Sequence, residues 1–280
     1  MSANLLTTKD FVEKYDLMAK KALGQNFLLD GNITDKIVRL SLSAQGLDDW
    51  KNASVVEVGP GPGGLTQAVL RQSPKKLTVI EMDERCLQIL AEIKQAYPQL
   101  DIVSGDALKF DWDKQVKTEK ALLHVVSNLP YNISVVLLTG WLKQIKLFKS
   151  LTLMFQKEVG ERILAKPASK DYGRLSVISQ LQCDVQKLFD LPPTCFVPAP
   201  KIWSSVLLFL PKATPVEPNI LAKVEMLTSL AFGQRRKMIR QSLKSVPDIL
   251  SHLDALRIEP TVRAENLTPE DYLNLAERLV

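Results

Sequence analysis

Ser54-Val55-Val56-Glu57-Val58-Gly59-Pro60-Gly61-Pro62-Gly63-Gly64-Leu65 is the stretch that decides the fold. Ser54 to Val58 is a β-branched run and reads as a strand; Gly and Pro follow without a gap, and Leu65 to Gln72 has helical spacing. Strand, glycine loop and helix form the first unit of a doubly wound nucleotide-binding sheet. Glycines let the backbone approach a ligand closely and adopt positive φ. Pro60 and Pro62 separate this loop from the dinucleotide G-x-G-x-x-G pattern. A second strand, Leu77 to Ile80, ends in Glu81, roughly twenty residues past the loop, where a carboxylate accepts hydrogen bonds from both ribose hydroxyls.

The same logic runs outward along the chain. Glu84 to Tyr97 is expected to be a helix with Leu87, Leu90, Ala91 and Ile93 inward. A third strand, Leu100 to Val103, leads to Ser104-Gly105-Asp106-Ala107, where Asp106 either receives the amino group of an adenine or caps a turn. A fourth strand, Ala121 to Val126, delivers Asn128-Leu129-Pro130-Tyr131 ahead of a helix expected from Ile133 to Phe148. The Asn oxygen and the carbonyls beside Pro130 can accept hydrogen bonds from an exocyclic amine. Proline stiffens that turn, and the Tyr ring offers a face for a base. All these groups sit at carboxyl ends of strands, the edge on which doubly wound sheets bind ligands. No Lys or Arg lies between Val55 and Gln67. A nucleoside whose far end is an amino acid therefore fits better than one ending in a diphosphate, and S-adenosylmethionine has that form.

The flanking segments are less explicit. Thr8 to Lys20 reads either as a helix carrying Lys9, Lys14 and Lys20, with Lys21 just beyond, or as a solvated start. Gly24-Gln25-Asn26-Phe27-Leu28 suggests a loop folded over something, and Asp30 caps a helix from Asn32 to Leu42. A strand Leu151–Phe155, a helix to Ala165 and a second helix to Gln182 follow. Two strands, Val185–Leu188 and Ser205–Leu210, bracket a Pro-rich loop in which Phe196 is either a clamp on a target base or a core anchor. Pro211 to Pro218 reads as a linker, so the expected domains are 1–211 and 218–280. Short helices follow: Ile220–Ala231, Gln234–Leu243, Asp248–Leu253 and Pro269–Leu279. The stretch Gln234–Lys244 carries Arg235, Arg236, Lys237, Arg240 and Lys244 with no acidic residue among them, which favours contact with RNA phosphates over a solvated helical face.

Composition narrows the class. Hydrophobic residues at 46% and charged residues at 24% are those of a soluble globular chain. No apolar run is long enough to span a bilayer, and no signal-peptide core is present, so a cytoplasmic protein is expected. Cys86, Cys183 and Cys195 are widely spaced and read as reduced thiols, while His124 and His252 are too few for a zinc site or a hydrolase triad. A net charge of +5 permits a polyanionic partner without demanding one.

Taken jointly, the blocks resemble the ribosomal RNA adenine dimethyltransferases of the KsgA type, nearly end to end. The matching blocks are Gly24-Gln25-Asn26-Phe27-Leu28, Glu57-Val58-Gly59-Pro60-Gly61, Ile80-Glu81, Gly105-Asp106-Ala107 and Asn128-Leu129-Pro130-Tyr131-Asn132-Ile133-Ser134. Further along come Gln156-Lys157-Glu158-Val159, Tyr172-Gly173-Arg174-Leu175-Ser176-Val177, Phe196-Val197-Pro198, Pro200-Lys201, Ala231-Phe232, Gln234-Arg235-Arg236-Lys237 and Arg263-Ala264-Glu265. Leu-Pro in the tetrapeptide, rather than Pro-Pro, points away from DNA adenine methylases. The resemblance implies an α/β fold: a Rossmann-like, seven-stranded class I methyltransferase sheet with a small C-terminal all-helical domain. It also implies dimethylation of two adjacent adenosines near the 3′ end of small-subunit rRNA and a role in ribosome biogenesis; no metal is expected, and nothing in the sequence requires more than a monomer. Asn26, Leu28, Gly59, Glu81, Asp106 and Asn128 would contact S-adenosylmethionine; Asn128, Leu129 and Tyr131 would hold the target base, with Phe196 opposite. Leu23 and Trp203 depart from the family pattern, which has an aromatic and an acidic residue there. The rival readings are a non-catalytic RNA-binding factor on the same fold and a methyltransferase for DNA or small molecules.

Overall fold

The computed structural model describes residues 6–17 and 25–279. The expectations for Lys20, Lys21, Leu23 and Gly24 fall outside those residues. The chain divides into two compact units, one of Met1–Gly140, Lys146–Lys157 and Lys187–Phe209, the other of Trp141–Ile145, Glu158–Gln186 and Leu210–Val280.

In chain order the elements are α1 (Thr8–Lys14), β1 (Phe27–Leu28), α2 (Gly31–Ala44), β2 (Ser54–Val58), α3 (Gly64–Leu70), β3 (Lys76–Glu81), α4 (Glu84–Ala96) and β4 (Leu100–Ser104). Then come α5 (Trp112–Glu119), β5 (Leu123–Ser127), α6 (Ser134–Lys143), β6 (Phe148–Gln156), α7 (Lys157–Leu164), α8 (Arg174–Gln182), β7 (Cys183–Leu191), β8 (Phe196–Val197) and β9 (Ser204–Pro211). Helices α9 (Pro218–Gly233), α10 (Ile239–Ser242), α11 (Ile249–Ala255) and α12 (Pro269–Arg278) complete the chain.

Seven strands form one sheet in the order β4-β3-β2-β5-β6-β9-β7. The β4, β3, β2, β5 and β6 neighbours pair in parallel, and β9 runs antiparallel to β6. All five residues of β2 are buried, as a strand flanked on both edges and covered on both faces requires. The chain builds outward from β2 through β3 to β4 and then returns to the other side of β2 with β5. That reversal is the switch point at which such sheets open a ligand crevice. The expected α/β class and the sheet around the glycine loop are therefore present.

Several boundaries differ from the sequence reading for physical reasons. Helix α6 stops at Lys143, and Phe148 begins a strand, pairing with Leu123 and packing against Trp112 at 5.7 Å between ring centroids. Its apolar spacing suits a helix equally well, so only tertiary pairing decides. On α4 the buried positions are Cys86, Ile89, Leu90 and Ile93, while Ala91 faces solvent. The phase is set by the Asp83 cap, whose carboxylate accepts the Arg85 N–H. Helix α5 is largely polar and escaped detection; it is anchored by buried Trp112 and by Glu119, which bonds Lys76 at 3.0 Å and accepts the Ser54 hydroxyl at 3.1 Å.

In the second unit Val224, Leu227, Ala231, Ile239, Leu253 and Leu275 belong to one apolar core, and buried Tyr272 donates to the Ala264 carbonyl at 2.8 Å. The expected Gln234–Leu243 helix is instead a turn followed by the single-turn α10. Helix α9 ends at Gly233, Met238 makes a β-bridge with Arg263, and the Ile239 N–H donates to the Val262 carbonyl at 2.7 Å.

Gly63 caps α3 with φ +81°, and a Cβ there would sit 2.5 Å from Cδ1 of Ile93. Gly63→Ala combines left-handed strain with overpacking and should cost about 2 kcal/mol or more in denaturant unfolding. A loss below about 0.5 kcal/mol would mean that the turn relaxes freely.

Candidate active site

A cavity of about 310 Å³ opens where β2, β3, β4 and β5 end. The first strand end supplies the glycine loop. Gly59 has φ +65° and donates its N–H to the Ile80 carbonyl at 2.9 Å, tying the loop to β3. Gly61 has φ +54°, and a Cβ there would lie 3.1 Å from the Phe27 ring, so a side chain would push against the segment that covers the loop.

Glu81 closes this arrangement. Its Oε2 accepts the Gly61 N–H at 3.1 Å, and its Oε1 accepts the N–H groups of Met82 and Asp83 at 2.8 and 2.9 Å. Burial pushes its carboxyl above the usual range, opposed by these three backbone donors. An ionised carboxylate offers about four lone-pair sites, so capacity remains for a ligand hydroxyl. Asp106 caps a turn by accepting the Leu108 N–H at 2.9 Å and also lines the cavity, so both roles considered for it are open together. Asn128 donates from Nδ2 to the Asn26 carbonyl at 3.3 Å, which leaves its Oδ1 as an acceptor. The Tyr131 hydroxyl bonds Ser204 Oγ at 2.6 Å, while burial raises its phenol above the ordinary value.

Asn26, Leu28, Gly59, Glu81, Asp106, Asn128, Leu129 and Tyr131 are thus brought to one cavity. Phe196 is not among its lining residues: only 2% exposed, it sits opposite Leu28 in the two-stranded β1–β8 pair. Sequence reasoning did not select Glu57, Met82 or Leu108, which also line the cavity. Glu57 had a signal, being the carboxylate inside an otherwise apolar strand. Fully buried, it accepts the Thr66 hydroxyl at 2.6 Å, and desolvation pushes its carboxyl up to about 8.

Glu57, Glu81 and Asp106 are the acidic side chains lining the cavity among those described, Glu57 mostly protonated at neutral pH, and no Lys or Arg joins them. Such a wall disfavours a polyphosphate and suits a nucleoside bearing cationic groups. Glu81 keeps acceptor capacity for a ligand hydroxyl, and Asp106 keeps acceptor capacity for an amino group.

The sequence profile described as Ribosomal RNA adenine dimethylase matches residues 17–280. The chain belongs to the ribosomal RNA adenine dimethylase family. It is 48% identical over 273 residues to the Ribosomal RNA small subunit methyltransferase A of Xanthobacter autotrophicus, covering 96% of this chain and 92% of that protein. The protein of the same name from Mesorhizobium japonicum is 46% identical over 274 residues, covering 95% of each. Among solved structures, a dimethyladenosine transferase from Plasmodium falciparum matches with a TM-score of 0.72 and 26% identity, over 88% of this chain and 94% of that one. The 23S rRNA methyltransferase ErmE shares the fold, with a TM-score of 0.66, 24% identity and coverage of 91% and 99%.

Other family blocks find partners that their spacing hides. Arg235 is held by Glu265, Nε to Oε2 at 2.6 Å, and its guanidinium donates to the Ser169 carbonyl at 3.2 Å. The acidic partner missing near Arg235 in sequence comes from the Arg263-Ala264-Glu265 block. Arg236, Lys237, Arg240 and Lys244 are exposed and have no ion-pair partner among the described residues. His124 is buried against Ser150 Oγ at 2.8 Å, and burial pushes its pKa down to about 4. Among the described residues no group of three or more metal-binding side chains assembles, and no helix is long and apolar enough to cross a membrane.

The Glu57 proton has a thermodynamic consequence. Its carboxyl titrates near 4.5 in the unfolded chain and about 8 in the folded one, so the folded state binds the extra proton between those values. The stability it contributes should fall as pH rises from about 4.5 to about 8. Glu57→Gln removes this dependence, and the melting temperature of the variant relative to the parent should climb by about 3 °C or more from pH 5 to pH 8. A constant difference across that range would mean that the carboxyl ionises without cost.

Proposed function

We propose that this protein transfers methyl groups from S-adenosylmethionine to the N6 amines of two adjacent adenosines near the 3′ end of small-subunit rRNA. On this reading it works as a cytoplasmic monomer on a pre-assembled subunit and serves also as a checkpoint in subunit biogenesis. The observation that carries the reading is the convergence of Asn128 and Tyr131 with Glu81 and Asp106 on one acidic cavity. The family and the relatives already described supply the substrate class.

Bound S-adenosylmethionine supplies an electrophilic methyl group on a sulfonium. The chain's own residues bind and orient. Glu81 receives the ribose hydroxyls, Asp106 the adenine amino group, and Asn26, Leu28 and Gly59 complete the wall. On the target side, the N6 lone pair is delocalised into the ring and is a weak nucleophile. The Asn128 oxygen and the Leu129 carbonyl accept its N–H bonds, favouring a more tetrahedral nitrogen held in line for transfer. No strong base is required, because the proton becomes acidic only once the new N–C bond forms and then leaves to water. Tyr131 stacks on the base, which must be splayed from its helix to enter. Phe196 can act opposite only if the Pro-rich loop moves when RNA binds, since its ring starts in the core. The segment from residue 218 onward presents Arg236, Lys237, Arg240 and Lys244 to RNA phosphates, with Arg235 bracing the turn that carries the first two.

Purified protein incubated with under-methylated small subunits and labelled S-adenosylmethionine should yield dimethyladenosine on digestion. Label confined to another nucleoside, or absent from RNA while the cofactor still binds, would overturn the reading. Asn128→Ala should lower kcat by about 10²-fold or more with less than about a fivefold change in cofactor Kd. Equal losses in both would remove Asn128 from the transfer step.

A further inference from the structure

The chain has four tryptophans, and three are interior: Trp50 and Trp141 are 1% exposed and Trp112 is 6% exposed. Trp203 is 49% exposed. Its placement is fixed from two sides. Its carbonyl accepts the Lys157 N–H at 2.8 Å, and the Lys157 ammonium lies 5.6 Å from its ring centroid. The next residue, Ser204, is fully buried, pairs with Gln156 across β6 and bonds the Tyr131 hydroxyl at 2.6 Å. An exposed indole is therefore held one residue from the hydroxyl of the tyrosine that faces the target base. Lys201 is exposed two positions earlier; Lys157 also contacts Asp190 at 3.4 Å, which holds its ammonium near the ring.

We propose that Trp203 is a stacking platform for the nucleobase next to the target adenosine, with Lys157 and Lys201 beside it for the RNA backbone. The inference rests on the reading of Asn128 and Tyr131 as the target-base site. Drawing one base out of a strand strips its neighbour of a stacking partner, and that unstacking must be offset by the protein. An aromatic face supplies stacking to any base, and flanking cations supply the charge that a phosphate backbone requires. An indole left half in water, on a backbone held at its own carbonyl and by the strand residue that follows, is organised to do this without reordering.

The test uses the full chain and two substrates: under-methylated small subunits and a hairpin RNA with two adjacent adenosines in its loop. Because the other tryptophans are buried, hairpin RNA should quench the exposed indole and protect it from acrylamide, and Trp203→Phe should abolish that signal. Trp203→Leu should raise KM for both substrates by about tenfold with kcat changed less than about twofold, while Trp203→Tyr restores KM to within about threefold. Equal KM values for Leu, Tyr and Trp, or an indole still fully open to acrylamide with RNA bound, would overturn the proposal. A KM loss on subunits but not on the hairpin would also overturn it, assigning the ring to a ribosomal protein. Failure of the parent enzyme to methylate either RNA would count against the target-base reading itself, separately from the Trp203 arms.

Discussion

Three backbone N–H groups converge on one buried carboxylate, and the geometry of the cavity follows from that. Glu81 at the end of β3 accepts from Gly61 in the neighbouring loop and from Met82 and Asp83 in its own turn. A buried carboxylate without donors would be costly, so the fold supplies them from the backbone, which cannot rotate away. The bond to Gly61 simultaneously fixes the glycine loop against the strand edge. Loop position and carboxylate orientation are thereby one construction. The parallel register of β2 with β3 and of β3 with β4 brings their ends, and so Gly59, Glu81 and Asp106, to one edge.

Charge is divided between the two tasks this family must perform. The cavity lining carries carboxylates without a cation among the described residues, which favours a cationic cofactor over phosphates. Exposed cations lie elsewhere in the chain, at Arg236, Lys237, Arg240, Lys244 and Lys201, and the half-buried Lys157 lies beside Trp203 in contact with Asp190. Arg235 shows that a basic run is not uniform: one member is consumed by Glu265 in bracing a turn, while its neighbours stay available.

Most of the strand edge that lines the cavity was legible because parallel strands and their terminal residues leave dense local signals. The run Ser54–Val58, the glycine loop, Glu81 and the Asn128 tetrapeptide can each be read without distant partners. What escaped depends on contacts far apart in sequence. The β1–β8 pair is two residues on each side, too short for any period. Helix α5 is mostly polar, and its anchors reach β2 and β3 rather than showing as an apolar stripe. Phe148 suits helix and strand alike until Leu123 and Trp112 choose. Arg235 looked unbalanced because Glu265 lies thirty residues on. Glu57 was visible as a carboxylate among valines; its burial and its raised pKa emerge only once both faces of the sheet are covered.

Calorimetric titration of S-adenosylmethionine into the parent protein and into Glu81→Gln, with thermal unfolding run beside it, tests the central claim most directly. The account predicts one cofactor per chain and at least a tenfold loss of affinity in a variant that remains folded. Undiminished binding by folded Glu81→Gln would contradict it, and the cofactor would have to be held somewhere other than this strand edge.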